Sequence, residues 1–302
     1  MKTCLSAIAL LLALPACAQQ ATPTPAPSPD AVTDADPALW VVKDKDTTIY
    51  LFGTIHILKP GMTWFDEAVK TAFDRSGELV IEMVKPDDAA MQQLVLSQGM
   101  APAGSPPLAD KIPADKRAAY LKALTDGGLP QGVVDRMRPW LAAVQLSLGP
   151  VQKSGYAAAN GPEEVLSGSA KASGKPIVGL ETAAQQIGYF GALSEPAQLQ
   201  FLSSTIDELP KSQATMAKMV DEWSRGDPDA LAAEMNDALK ESPEVAKVLL
   251  TDRNIRWAYW IKERLARPGT VFVAVGAGHL AGAESVQAQL AKLKVKTKRI
   301  RY

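Results

Sequence analysis

Thr270-Val271-Phe272-Val273-Ala274-Val275-Gly276-Ala277-Gly278-His279-Leu280 decides the fold. Val271 to Val275 form an unbroken apolar run rich in β-branched residues, which predicts a strand. Gly276 ends it, and the spacing then predicts a helix from about 280 to 293 and a closing strand from Val295 to Ile300. The same order stands near the other end of the chain. Thr47-Thr48-Ile49-Tyr50-Leu51-Phe52 reads as a strand that runs into Gly53-Thr54-Ile55-His56. A helix is predicted over 63–75, with Phe65, Val69, Ala72 and Phe73 on one face. Glu78-Leu79-Val80-Ile81-Glu82-Met83 follows as a strand apolar enough to be buried on both faces, as in a parallel sheet.

Outward from these two half-motifs the pattern is simple. Ala38 to Val42 pairs with the strand at 47–52 as a hairpin across the polar turn Lys43-Asp44-Lys45-Asp46. Between the half-motifs the periodicity is helical at 116–124, 139–150 and 160–172, after Glu195-Pro196, at 228–240, and from Pro243 to about Arg267. Pro176 to Leu180 reads as one more short buried strand. Helices alternating with short strands predict an α/β core, with a helical insertion between the two Gly-x-x-His units.

The chain of 302 residues is 47% hydrophobic and 22% charged, with a formal charge of -1. That balance excludes collagen-like, coiled-coil and wholly disordered chains. It also leaves no basic field to hold nucleic acid. Residues 1–18 read as a secretory signal peptide: Lys2, an apolar run from Leu5 to Leu14, then small residues. Ala16-Cys17-Ala18 is a cleavage site for a soluble product, and Leu14-Pro15-Ala16-Cys17 resembles a bacterial lipobox that would place a lipid anchor on Cys17. Either route implies export, to the periplasm or to the outer membrane. Residues 19–37 read as a Pro/Ala-rich tether, and 38–302 as the folded domain. Both cysteines, Cys4 and Cys17, precede that domain, so disulfide, zinc-finger and Cys-nucleophile chemistry is excluded from it. No other apolar run reaches membrane-spanning length.

The chemistry sits where strands end. His56 and His279 are the two histidines of the chain, and each closes a Gly-x-x-His directly after a strand. Neutral imidazole is a good ligand for zinc, manganese, iron or cobalt. Open α/β sheets bind ligands at strand ends. Glu82 lies inside an apolar strand and Glu181 ends another. A carboxylate in such surroundings is costly unless paired or metal-bound, so each reads as a metal ligand, a general base or a salt-bridge partner. Arg253, within a helical apolar stripe, could orient a carboxylate or hold a substrate oxyanion. There is no His-Glu-x-x-His, no Walker loop, no Gly-x-Ser-x-Gly elbow and no complete dinucleotide fingerprint.

Taken in order, Leu51–His56, Leu79–Glu82, Val178–Thr182, Asp252–Asn254 and Val273–Leu280 resemble the TraB/GumN family. That family is grouped with Tiki-type metalloproteases and, more widely, with erythromycin-esterase-like and ChaN-like haem-uptake proteins. The resemblance spans about Ala38 to Tyr302. The segment Gly161-Pro162-Glu163-Glu164 departs from the family's Gly-aliphatic-Asp, and no role is carried to it. The resemblance implies a mixed sheet with helices on both faces, and a divalent cation (manganese, cobalt, iron or zinc) held by His56, His279 and a glutamate. Glu82, which follows the first half-motif, is assigned as that ligand, Glu181 as general base and Arg253 as the stabiliser of negative charge. The expected function is an exported metal-dependent hydrolase, a peptidase acting on an envelope peptide or protein. The alternative is a non-catalytic envelope lipoprotein that binds metal, haem or glycan.

Overall fold

The computed structural model describes residues 33–240 and 242–302. The signal peptide, Cys17 and the tether as far as residue 32 lie outside the described residues.

In chain order the strands are β1 (Thr33–Asp34), β2 (Leu39–Lys43), β3 (Thr47–Thr54), β4 (Met62–Thr63), β5 (Glu78–Met83), β6 (Ile177–Glu181), β7 (Gly269–Gly276) and β8 (Thr297–Ile300). The longer helices are α1 (Glu67–Arg75), α2 (Asp88–Gly99), α3 (Ala114–Gly127), α4 (Pro139–Lys153), α5 (Pro162–Ala172), α6 (Ala183–Gly191), α7 (Glu195–Glu208), α8 (Ser212–Ser224), α9 (Pro228–Lys240), α10 (Asp252–Arg264) and α11 (Val286–Lys292). Six strands form one sheet in the order β6-β5-β7-β3-β2-β8. Within it β2 runs antiparallel to β3 and β8, and the other pairs are parallel. The expected mixed α/β architecture is thus present.

Alternation along the strands sorts side chains onto two faces. Phe52, Leu79, Ile81, Phe272 and Ala274 pack on one face against Val69 and Phe73 of α1, Leu166 of α5 and Trp223 of α8. Ile49, Leu51, Val80, Val271 and Val273 pack on the other against Trp257 and Ile261 of α10 and Val286 and Leu290 of α11. Glu82 is two residues beyond Val80, so the pleat aims it at the α10 face, where Arg253 waits. The helical insertion has a core of its own, built on Trp140, Tyr120, Phe190, Phe201 and Leu202. Among the described residues no helix is long and apolar enough to cross a membrane.

Four local expectations change. Residues 33–37, expected in the tether, pack on the domain: Thr33 and Asp34 pair with Met62 and Thr63, and Ala35 is 2% exposed. β6 is an edge strand, with Val178 exposed, because among the described residues nothing pairs beyond it in the sheet. The helix expected from Pro243 onward is broken by a π-turn at Lys247–Thr251, immediately before Arg253. A wider turn of this kind recurs at functional sites, where it re-aims a side chain. The helix expected from 280 starts at Val286, because Ala277–Leu280 first tightens into a 3-10 turn.

Candidate functional site

Register brings the two Gly-x-x-His units together. β3 pairs with β7 in parallel, with Gly53 opposite Val275 and Thr54 opposite Gly276. Both loops therefore leave adjacent strands at the same edge of the sheet. β5 lies on the other side of β7, and the Gly276 backbone N–H donates to Glu82 Oε1 at 2.7 Å.

Arg253 is the hub of the buried cluster. The residue is 2% exposed. Nε donates to Glu181 Oε1 at 3.0 Å, and Nη2 donates to Glu181 Oε2 at 2.8 Å and to Glu82 Oε2 at 2.6 Å. Nη1 donates to the Leu249 carbonyl, supplied by the π-turn, and lies 3.2 Å from His279 Nε2. The Arg253 guanidinium also stacks over the Trp257 ring at 4.7 Å. Such a fork, donating to two carboxylates at once, is a geometry lysine cannot copy. Gln186 Nε2 donates to both Glu82 and Glu181, and the Tyr189 hydroxyl donates to Glu181 Oε1 at 3.1 Å. Glu181 therefore has both oxygens engaged. The general-base role expected for it requires one of them to be released.

The histidines are held in a matching way. Asn254 Nδ2 donates to the Glu284 carbonyl, which turns Asn254 Oδ1 to His279 Nδ1 at 2.6 Å. Nδ1 then carries the proton and Nε2 presents its lone pair, facing Arg253 and 3.7 Å from Glu82 Oε1. His56 Nδ1 lies 2.6 Å from Glu163 Oε1, which also accepts from the Thr54 hydroxyl at 2.5 Å. His56 Nε2 and Glu163 Oε2 are buried without a hydrogen-bond partner. Glu163 sits in the first turn of α5, where a helix dipole favours an anion. Gly161 makes the approach possible, since a Cβ there would lie 2.2 Å from the His56 carbonyl oxygen.

Electrostatics separate the two rings. Burial pulls the His56 pKa down, but the charge of Glu163 and its hydrogen bond outweigh burial and leave it raised to about 9. For His279, burial and the neighbouring Arg253 act together and lower it to about 3. Burial would raise Glu82, yet Arg253 and the histidines hold it down at about 2. Arg253 itself is raised, because its two carboxylates outweigh its own desolvation. At neutral pH one ring is charged and the other neutral, with Glu82 ionised between them.

Sequence reasoning had selected His56, Glu82, Glu181, Arg253 and His279. The structure places Glu82, Glu181, Arg253 and His279 in one network and sets His56 beside it, close enough for Glu82 and Arg253 to act on its charge. It adds Glu163, Asn254, Gln186 and Tyr189. Glu163 stands two residues after Gly161, where the family has Asp; because Pro162 and Glu163 depart from that pattern, no role is carried to it from sequence.

The chain's sequence matches the TraB/PrgY/gumN family over residues 38–299, a span that includes every residue of this site. The chain belongs to that family. Among its relatives are the uncharacterized protein YbaP of Escherichia coli K12 and its counterpart in Shigella flexneri. Each is 24% identical over 247 residues, covering 82% of this chain and 89% of the relative. No solved structure matches. For this TraB-family chain the donor chemistry suits a divalent cation: two imidazoles, a carboxylate, and His56 Nε2 buried without a partner. Among the described residues no three His, Cys, Asp or Glu side chains form a ready-made cage, and Arg253 holds the position next to His279 Nε2. A cation held by His279 Nε2 would have to displace that hydrogen bond.

Proposed function

We propose that this protein is an exported, metal-dependent hydrolase whose substrate is a peptide or protein of the cell envelope. One observation carries the reading. Two histidines at the ends of neighbouring parallel strands are each fixed through Nδ1, beside an ionised buried glutamate; His56 Nε2 has no partner, and His279 Nε2 faces Arg253. Ligand histidines are anchored in this way, by a hydrogen bond from the second ring nitrogen. His56, Glu82 and His279 would hold the cation, which supplies Lewis acidity and a water of lowered pKa when bound.

The chain's own residues do the rest. Glu163 orients His56, and Asn254 orients His279. Arg253 keeps Glu82 ionised and offers positive charge to an oxyanion that forms beside it. Glu181 locks Arg253 in place and accepts a proton once an oxygen is freed from the Arg253 fork. The export reading rests on the sequence of residues 1–18, in which Cys17 would be the lipid-anchor site if the lipobox is the one processed. A second reading, a non-catalytic envelope binding protein, draws on the depth of the Arg253 network, which is nearly self-satisfied.

The test is hydrolysis of a peptide library with and without chelator, beside metal analysis of the purified protein. Activity that is lost to chelator, restored by a divalent cation and absent in His56→Ala and His279→Ala supports the hydrolase. Stoichiometric metal without turnover supports the binding reading. Export predicts that Cys17→Ser releases the protein from membranes if Cys17 is lipidated; recovery of the uncleaved chain in the cytoplasm would contradict it.

A further inference from the structure

A cavity lies in the helical insertion, where the C-terminal end of α6 meets the N-terminal ends of α4 and α7. Its volume is about 380 Å³, and its walls include Pro102, Pro106, Leu108, Pro139 and Leu193. That size suits a small ligand, and such sites pair apolar walls with a few placed polar groups.

Two polar groups stand out. Gln198 is 4% exposed; its Nε2 donates to the Leu193 carbonyl at 2.8 Å, while its Oε1 is buried without a partner. A buried amide oxygen left unpaired is costly, and a ligand N–H would relieve that cost. Arg138 lines the same cavity, and its guanidinium makes a single 3.3 Å hydrogen bond, to the Gly191 carbonyl. Among the described residues no carboxylate pairs with it. Lys111 and Glu195, also on the wall, pair with each other. The cavity wall thus carries one positive charge without a carboxylate partner and, on Gln198, one buried acceptor without a donor, set among prolines and aliphatic side chains.

We propose that this cavity binds a carboxylate ligand bearing a neighbouring N–H, the chemistry of a peptide C-terminus or an N-acylated amino acid. Arg138 takes the carboxylate, Gln198 Oε1 accepts from the N–H, and Leu108, Pro139 and Leu193 cover the side chain. The site is separate from the Arg253 cluster but shares a helix with it. α6 presents Gln186 to Glu82 and Glu181, and Gly191 to the cavity, with an axial rise of about 8 Å between them.

The experiment is calorimetric titration of the full chain with N-acetyl-alanyl-alanine, its C-terminal amide, N-acetyl-alanine and an acetylated pentapeptide acid. The free acids should bind with Kd in the millimolar range or tighter, and the amide should bind about tenfold or more weakly. Arg138→Met should weaken the acids by about 10-fold to 100-fold, the loss of a charge-assisted hydrogen bond. Gln198→Leu should weaken acid and amide alike, and His56→Ala should change neither. The Arg138 backbone N–H still caps the Gly99 carbonyl in Arg138→Met. If that variant nevertheless unfolds, Arg138→Lys, which keeps charge but not the fork, should give an intermediate loss. Tighter binding of the pentapeptide points to a peptide end, and equal affinity to a small acyl amino acid; both uphold the site. The proposal is overturned if no acid binds, if the amide matches the acid, or if Arg138→Met binds as the wild type does.

Discussion

Replacing Arg253 with Met removes the charge that joins Glu82, Glu181 and His279 while keeping an apolar stem of similar length. Glu82 falls from its ordinary 4.5 to about 2 in the folded protein. At about 1.4 kcal/mol per pKa unit, the net effect of Arg253, the histidines and the Gly276 N–H, less burial, is on the order of 3 kcal/mol at neutral pH, with Arg253 the largest favourable contributor. Breaking a buried ion pair from one side typically costs about 3–5 kcal/mol, because the carboxylates left behind are uncompensated. Denaturant unfolding of Arg253→Met at pH 7, followed by tryptophan fluorescence, should therefore show a loss of about 3–5 kcal/mol. The pH sign follows from the same group. Because the folded pKa of Glu82 is depressed, its contribution is complete above pH 4.5 and is lost as pH falls toward 2. In the variant Arg253 no longer offsets burial and that pKa rises, so the gap between the two proteins should narrow on acidification. Arg256→Met is the control. Its guanidinium is half exposed and 3.7 Å from Glu181, and its removal should cost under about 1 kcal/mol. A loss below 1 kcal/mol for Arg253→Met, or one unchanged between pH 7 and pH 4, would refute the reasoning.

Three further outcomes follow from the site. With two histidines in the chain, a proton NMR titration should show His56 titrating near 9 and His279 silent above pH 4; a resonance titrating at 6 to 7 would contradict the placement of the histidine it belongs to. Glu163→Gln removes the charge that offsets burial, so the His56 pKa should drop well below 9. In the wild type the raised His56 pKa adds stability that is complete below pH 6.5 and declines as pH rises through 9; pH-dependent unfolding checks that slope. Gly161→Ala should destabilise by about 1–3 kcal/mol, because a Cβ has no room against the His56 carbonyl; a neutral result in thermal unfolding would contradict the close approach.

Much of the fold was readable because buried parallel strands carry a local signal. Val271–Val275 and Leu79–Ile81 are apolar throughout, and Gly53 and Gly276 follow the runs that end at Phe52 and Val275. The difference between a central and an edge strand is not local, so β6 looked buried although nothing pairs outside it. Thr33–Asp34 is two residues long and its partner is 29 residues away, which no periodicity reveals. Within the site, Glu82, Glu181 and Arg253 were conspicuous as charges in apolar sequence. Glu163 was not, because an acid in the first turn of a helix is ordinary there. Its purpose appears only when His56, 107 residues earlier, folds against it. The roles of Asn254, Gln186 and Tyr189 likewise depend on groups brought close by tertiary packing.

Calorimetric titration of the purified protein with manganese, cobalt or zinc at pH 7.5, repeated on His56→Ala and His279→Ala, addresses the central claim most directly. The account predicts one ion bound per chain in the wild type, proton release from His56 on binding, and loss of tight binding in both variants. Failure of the wild type to bind any of the three ions, or full retention of binding in both variants, would contradict it.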